Sequence, residues 1–162
     1  MLNFNQYSNV TKISIGDKVT ISNNDFSYKF NNMRNLINCT IPYEKLNNMY
    51  RTYYNCYSLT SFPMCGNNVT SMNWTYYNCF NLTGNPVCKN NVIGMYATYQ
   101  NCQKLTGNPV CGDNVSELRN TYSSCYNLTG NPVCGPNVTY MSDTYKNCKN
   151  LTGSPVCGNN VT

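Results

Sequence analysis

Apolar residues recur along this chain on two nested periods. The longer is 23 residues. Five units beginning at Met49, Met72, Met95, Leu118 and Met141 follow one consensus, M-x-x-T-Y-x-N-C-x-N-L-T-G-N-P-V-C-G-x-N-V-T-x. Tyr53, Tyr76, Tyr99, Tyr122 and Tyr145 occupy its fifth position, and Leu59, Leu82, Leu105, Leu128 and Leu151 its eleventh. Val69, Val92, Val115, Val138 and Val161 occupy the twenty-first. The frame extends backwards into a looser unit at Phe26, where Phe26, Phe30, Met33, Leu36, Ile41 and Leu46 hold the apolar slots. A looser one still begins at Asn3, with Tyr7, Val10 and Ile13. Seven such units, in frame and without an insertion, account for a chain of 162 residues. Self-similarity at this period marks a stack of repeats in place of a globule with one centre.

The shorter period lies inside the unit. Val69, Met72, Tyr76, Cys79 and Leu82 are separated by steps of three, four, three and three, which predicts one buried face of an α-helix. Thr70 is placed to cap that helix, with Asn68 competing for the role. After Leu82 the run T-G-N-P-V-C-G is too short and too rich in Gly and Pro for a helix, and predicts an extended arm with a turn at Gly66, Gly112, Gly135 and Gly158. Pro63, Pro86, Pro109, Pro132 and Pro155 cannot donate to a ladder, so pairing is expected on one side of each. Before Phe26, the alternation Val10-Thr-Lys-Ile13-Ser-Ile15, then Gly16-Asp17, then Val19-Thr-Ile21 predicts a capping hairpin. The expected fold is an α/β repeat: a hairpin-containing cap over 1–25, then one continuous solenoid over 26–162 with units starting at 26, 49, 72, 95, 118 and 141. The last unit stops at Val161-Thr162 with no cap of its own.

These residues resemble the leucine-rich repeats of the BspA-like class, found in bacterial and protist surface proteins and in some phage-encoded proteins. The shared motif is V-T-x-M-x-x-x-[F/Y]-x-x-C-x-x-L-T, met here as Val69-Thr70, Met72, Tyr76, Cys79 and Leu82-Thr83 and again in later units. It covers 49–162 well and 26–48 loosely. The resemblance implies a leucine-rich-repeat solenoid of about seven helix-plus-short-strand units, used for adhesion or protein recognition and not for catalysis. It favours an extracellular, cell-surface or virion location.

Composition narrows the chemistry. No His is present to act as a base, and Asp17, Asp25, Glu44, Asp113, Glu117 and Asp143 form no pair fixed by the repeat. No Gly-rich phosphate loop occurs. The expectation is a protein that is not an enzyme and carries no cofactor. The formal charge of +5 is spread from Lys12 to Lys149 with no run of like charges, so nucleic acid is disfavoured as a partner. The start, MLNFNQYSNVTK, lacks the cationic and apolar parts of a secretory signal, and no apolar stretch approaches the roughly 18–20 residues of a membrane span.

Ten of the eleven Cys form two ladders nine residues apart: Cys56, Cys79, Cys102, Cys125, Cys148, and Cys65, Cys88, Cys111, Cys134, Cys157. Cys39 lies outside both. They read either as buried free thiols or as within-unit disulfides. A metal site is not expected, there being neither C-x-x-C nor His. Ten Asn-x-Ser/Thr sequons recur because the repeat recurs. Asn68, Asn91, Asn114, Asn137 and Asn160 are expected to bond local backbone at the turn before each helix. Variation between units concentrates at the second, third, sixth and ninth positions, off the buried stripe. There Tyr54, Tyr57, Trp74, Tyr77 and Phe80 form a candidate contact patch, since Tyr, Trp and Arg are the usual anchors of interfaces. The leading expectation is a non-catalytic solenoid that recognises a protein or cell-surface ligand. The alternative is a structural component that self-assembles, a filament or a virion- or tail-associated protein, by end-to-end stacking of copies.

Overall fold

The computed structural model describes residues 4, 6–62 and 65–162. Asn3, the expected start of the first unit, and Pro63 lie outside them. Each unit makes one circuit, and successive circuits stack in parallel. Parallel bridges join Asp25 to Asn48, Asn48 to Ser71, Ser71 to Gly94, Gly94 to Glu117 and Glu117 to Tyr140, each one period apart. The core is correspondingly linear. Met49, Met72, Met95 and Leu118 are fully buried, as are Leu59, Leu82, Leu105 and Leu128, and Val69, Val92, Val115 and Val138.

The expected helix is not there. Among the described residues the helical elements are two single 3-10 turns, Ser22–Asn24 and Tyr43–Lys45. The segment read as helical is a chain of tight turns. Thr52 N–H closes on Met49 O at 3.2 Å, Tyr54 N–H on Arg51 O at 3.3 Å, and Cys56 N–H on Tyr53 O at 3.0 Å. The intervening donors leave the unit: Met49, Arg51, Tyr53 and Asn55 N–H reach Ser71, Asn73, Thr75 and Tyr77 O at 2.8–3.1 Å. A helix sends every donor four residues back along its own chain. Here alternate donors go to the next circuit, and no backbone group in this wall needs a helix to be satisfied.

This alternation requires left-handed backbone at every fourth residue. Arg51, Trp74, Ala97, Asn120 and Asp143 have φ of 51–57°, and Asn55, Asn78, Asn101, Ser124 and Asn147 have φ of 60–65°. A positive φ at the third residue of a turn is the type II signature. Outside Gly it is tolerated best by Asn, whose short polar side chain bonds locally. The apolar steps of three and four arise because each four-residue turn returns the chain to the same side. A helix makes the same spacing by winding, and this explains the mistaken expectation.

The expected cap hairpin is also replaced. Strand β1 (Lys12–Ser14) pairs in parallel with β2 (Asn38–Thr40) of the next unit, Lys12 opposite Asn38 and Ile13 opposite Cys39. That offset is 26, whereas Asn24 and Asn47 are paired one period apart. The first circuit therefore carries three extra residues on its way back, around the turn that Val19 N–H closes on Gly16 O. The Lys45 ammonium ties that longer arm down by donating to Asp17 O. The uniform frame expected from the sequence does not reach the first unit.

On the return arm Pro86, Pro109 and Pro132 are buried and the Val after each is exposed. Bridges Val110–Val133 and Val133–Val156 follow those prolines directly. The circuits approach closely beyond them: a Cβ added at Gly135 would lie 2.5 Å from Gly112 O.

Candidate functional site

Stacking identical circuits places like side chains in columns, and three kinds of column fill the turn wall. The innermost is aromatic. Phe30, Tyr53, Tyr76, Tyr99, Tyr122 and Tyr145 stack with centroids 5.4–5.7 Å apart, and from Tyr53 onward their planes lie within 9° of parallel. Beside it run two columns of buried donors. The hydroxyls of Thr52, Thr75, Thr98, Thr121 and Thr144 donate to Phe26, Met49, Met72, Met95 and Leu118 O at 2.6–2.9 Å. The thiols of Cys56, Cys79, Cys102, Cys125 and Cys148 donate to Phe30, Tyr53, Tyr76, Tyr99 and Tyr122 O at 3.0–3.2 Å. Thr70 does not cap a helix; its hydroxyl donates to Asn47 O in the preceding circuit at 3.3 Å. Asn68, Asn91 and Asn137 likewise donate to Glu44, Asn67 and Asp113 O of the circuit before, and not to their own turn.

All eleven cysteines are free thiols. Burial pushes Cys79, Cys102 and Cys125 well up, and Cys39 and Cys65 up to about 12. A thiol held protonated is a poor nucleophile, so the first ladder, whose thiols all donate to carbonyls, is built for packing. No group of three or more Cys, Asp or Glu among the described residues is gathered to hold a metal ion. No helix of the described residues is long and apolar enough to cross a membrane.

The outer side of the turn wall carries the aromatic residues singled out from the sequence, in three rows. Tyr54 stacks on Tyr77 with centroids 4.8 Å apart. Tyr57 packs on Phe80 at 5.0 Å. Trp74 belongs to a third row with residues outside the expected patch: Tyr28 to Tyr50 at 5.3 Å, Tyr50 to Trp74 at 5.4 Å, and Trp74 to Tyr96 at 4.6 Å. All five expected residues are half-buried. Tyr54 and Tyr77 lie face to face, Tyr57 and Phe80 are tilted by 31°, and the rings of the Trp74 row meet edge to face at 65–78°.

Cations are set into these rings. Arg51 lies over Trp74 at 4.8 Å, Tyr54 at 5.2 Å, Tyr50 at 5.5 Å and Tyr28 at 6.0 Å, joining two rows. Its Nε is buried with no hydrogen-bond partner. Arg34 lies over Tyr57, and Arg119 over both Tyr96 and Tyr140. Arg119 also pairs with Glu117 at 2.7 Å, which pushes its guanidinium further up. The sequence signal for Arg51, Tyr50, Tyr96 and Arg119 was their variability at the second and third positions. A helical wheel separates those positions, whereas the turns bring them into one row.

No protein-family model matches the chain, and no curated protein matches it in sequence. A solved structure does: the leucine-rich repeat protein of T. pallidum superposes with a TM-score of 0.73 at 13% identity, over 93% of this chain and 70% of that one. The chain has the leucine-rich-repeat fold, built from turns and short parallel pairings where helix-plus-strand units were expected.

Proposed function

We propose that this chain is a non-catalytic recognition solenoid of the BspA-like kind, acting in adhesion at a cell or virion surface. Its turn wall binds a protein segment that carries carboxylates. The observation that carries this reading is Arg51, a guanidinium set among four rings on the outer side of the turn wall. Arg34 over Tyr57 and Lys149 over Tyr126 extend the positive charge along the same wall, whereas Arg119 and Lys146 are paired with Glu117 and Asp143. The cations without a carboxylate favour an anionic partner. Nucleic acid is less suited, because the basic residues are scattered along the chain with no run of like charges.

The test is a panel of immobilised peptides of matched length, acidic-aromatic, neutral and basic, with binding measured by interferometry. Acidic peptides should bind, and Arg51→Ala should weaken that binding about tenfold or more, as expected for loss of an interface anchor worth at least ~1.4 kcal/mol. Equal binding to all three classes, or an Arg51→Ala protein that binds unchanged, would count against it.

A further inference from the structure

The second cysteine ladder behaves unlike the first. Its thiols share no common acceptor, and at one point two of them meet. Val133 and Val156 are bridged in parallel, and Cys134 N–H donates to Val156 O at 3.0 Å. Both valines point outward, 40% and 58% exposed, so the residues that follow them turn inward side by side. The sulfurs of Cys134 and Cys157 are 3.2 Å apart. Adjacent strands are spaced by about 4.8 Å, within the roughly 4.4–6.8 Å between Cα atoms that a disulfide spans. We propose that Cys134 and Cys157 are a cross-link site that covalently joins the sixth and seventh circuits when a small-molecule disulfide is the oxidant.

The pair the sequence suggested, nine residues apart within a unit, is less well disposed. Cys148 spends its thiol on Tyr122 O at 3.0 Å, while Cys157 faces Cys134 and, at 3.4 Å, the thioether of Met141. Other neighbours in the second ladder are engaged elsewhere. Cys111 Sγ accepts the Gly135 N–H at 2.8 Å, and Cys65 and Cys88 donate to Gly66 and Lys89 O at 3.5 Å.

The order of events follows from access. Cys157 is half-buried and Cys134 is buried, with the Tyr145 hydroxyl 3.6 Å from its sulfur. Cys157 gives up its proton to solvent and its thiolate attacks one sulfur of the reagent. The reagent's S–S bond breaks, a mixed disulfide forms, and one small thiolate leaves. Cys134 then loses its proton, and its sulfur attacks the sulfur of Cys157 and expels the second small thiolate. Two protein thiols are oxidised and one reagent disulfide is reduced to two thiols.

The experiment uses the full chain, reduced, desalted and incubated with oxidised glutathione under native conditions, followed by non-reducing peptide mapping. The expected product is a peptide pair joining Cys134 to Cys157, formed before any other and reversed by reductant. It should form normally in Cys148→Ser, whose hydroxyl can still donate to Tyr122 O, and be absent from Cys134→Ser and Cys157→Ser. Near-UV circular dichroism of each variant reports whether the ring stack survives, and Cys157→Ala provides a second route if the Ser variant does not fold. A link from Cys148 to Cys157, glutathione left on Cys157 beside a free Cys134, or a native chain with no intramolecular link would each overturn the proposal.

Discussion

The two walls of the solenoid solve the same stacking problem with different strength. In the turn wall each circuit from the second to the sixth sends four backbone donors to the next, and buried hydroxyls and thiols of the next circuit donate back to the carbonyls that close the turns. The return wall is thinner. In the later circuits its bridges fall on a single valine per unit, which is itself exposed, and the threonines beside it face solvent. Stability should therefore be concentrated in the turn wall, leaving the return wall free to vary.

The largest test uses pH, because the turn wall hides its thiols most completely. Folded-state values lie above the ordinary thiol value near 9 on both walls: Cys148 at about 11 and the fully buried Cys79 and Cys102 well above in the turn wall, Cys88 at about 11 and Cys134 at about 12 on the return arm. Once pH passes the unfolded value, the unfolded chain sheds thiol protons that the folded chain keeps. The folded state then binds more protons, so stability falls as pH rises, by up to about 1.4 kcal/mol per buried thiol per pH unit. Stability is fully present below about pH 8.5. Reduced protein should unfold between about pH 9 and 11, as followed by circular dichroism, with Cys102→Ala shifting the midpoint upward. A chain whose urea midpoint is flat across that window would show that the thiols do not carry this linkage.

Next in size is the aromatic column against the exposed valines. Tyr99→Ala removes a buried ring from between two others and should cost about 3–5 kcal/mol in urea denaturation. Val110→Ala, at a residue 42% exposed, should stay within about 0.5–1 kcal/mol. Equal losses would erase the distinction between the walls.

The smallest contrast concerns the left-handed positions. Asn55, Asn78 and Asn101 form a side-chain ladder, each amide donating to the one before at 2.7–2.9 Å. Asn101→Val forfeits that bond and forces a β-branched residue into φ of 65°, for about 2–3 kcal/mol. Asn101→Gly keeps the backbone and loses only the bond, about 1 kcal/mol. Thr106→Val, on the return wall, should be nearly silent. If Asn101→Val is equally silent, the turn assignment at this position is wrong.

The sequence made the stack legible because a linear core repeats its contacts: Met72, Tyr76 and Leu82 are buried as their spacing implied. It did not reveal how the backbone turns. Steps of three and four are shared by a helix and by consecutive four-residue turns, and nothing local to Trp74 or Ala97 announces a left-handed backbone. The Asn at the seventh position of nearly every unit was the available clue, since Asn is the residue that tolerates that conformation most readily after Gly. The aromatic patch was partly legible. Tyr54 pairs with Tyr77 and Tyr57 with Phe80, but Trp74 joins a row whose other members become neighbours only once the helix is replaced by turns. The cysteine alternatives stayed open in the sequence because a nine-residue separation says nothing about which way two sulfurs face.

The inner tyrosines have one more consequence. Each ring's nearest partners are copies of itself, contributed by the units before and after. Removing or duplicating a whole 23-residue segment at the gene level would join surfaces already shaped for one another, so this architecture can change length by recombination without redesigning any contact. A shorter insertion must instead be absorbed within its own circuit, as the three extra residues of the first one are.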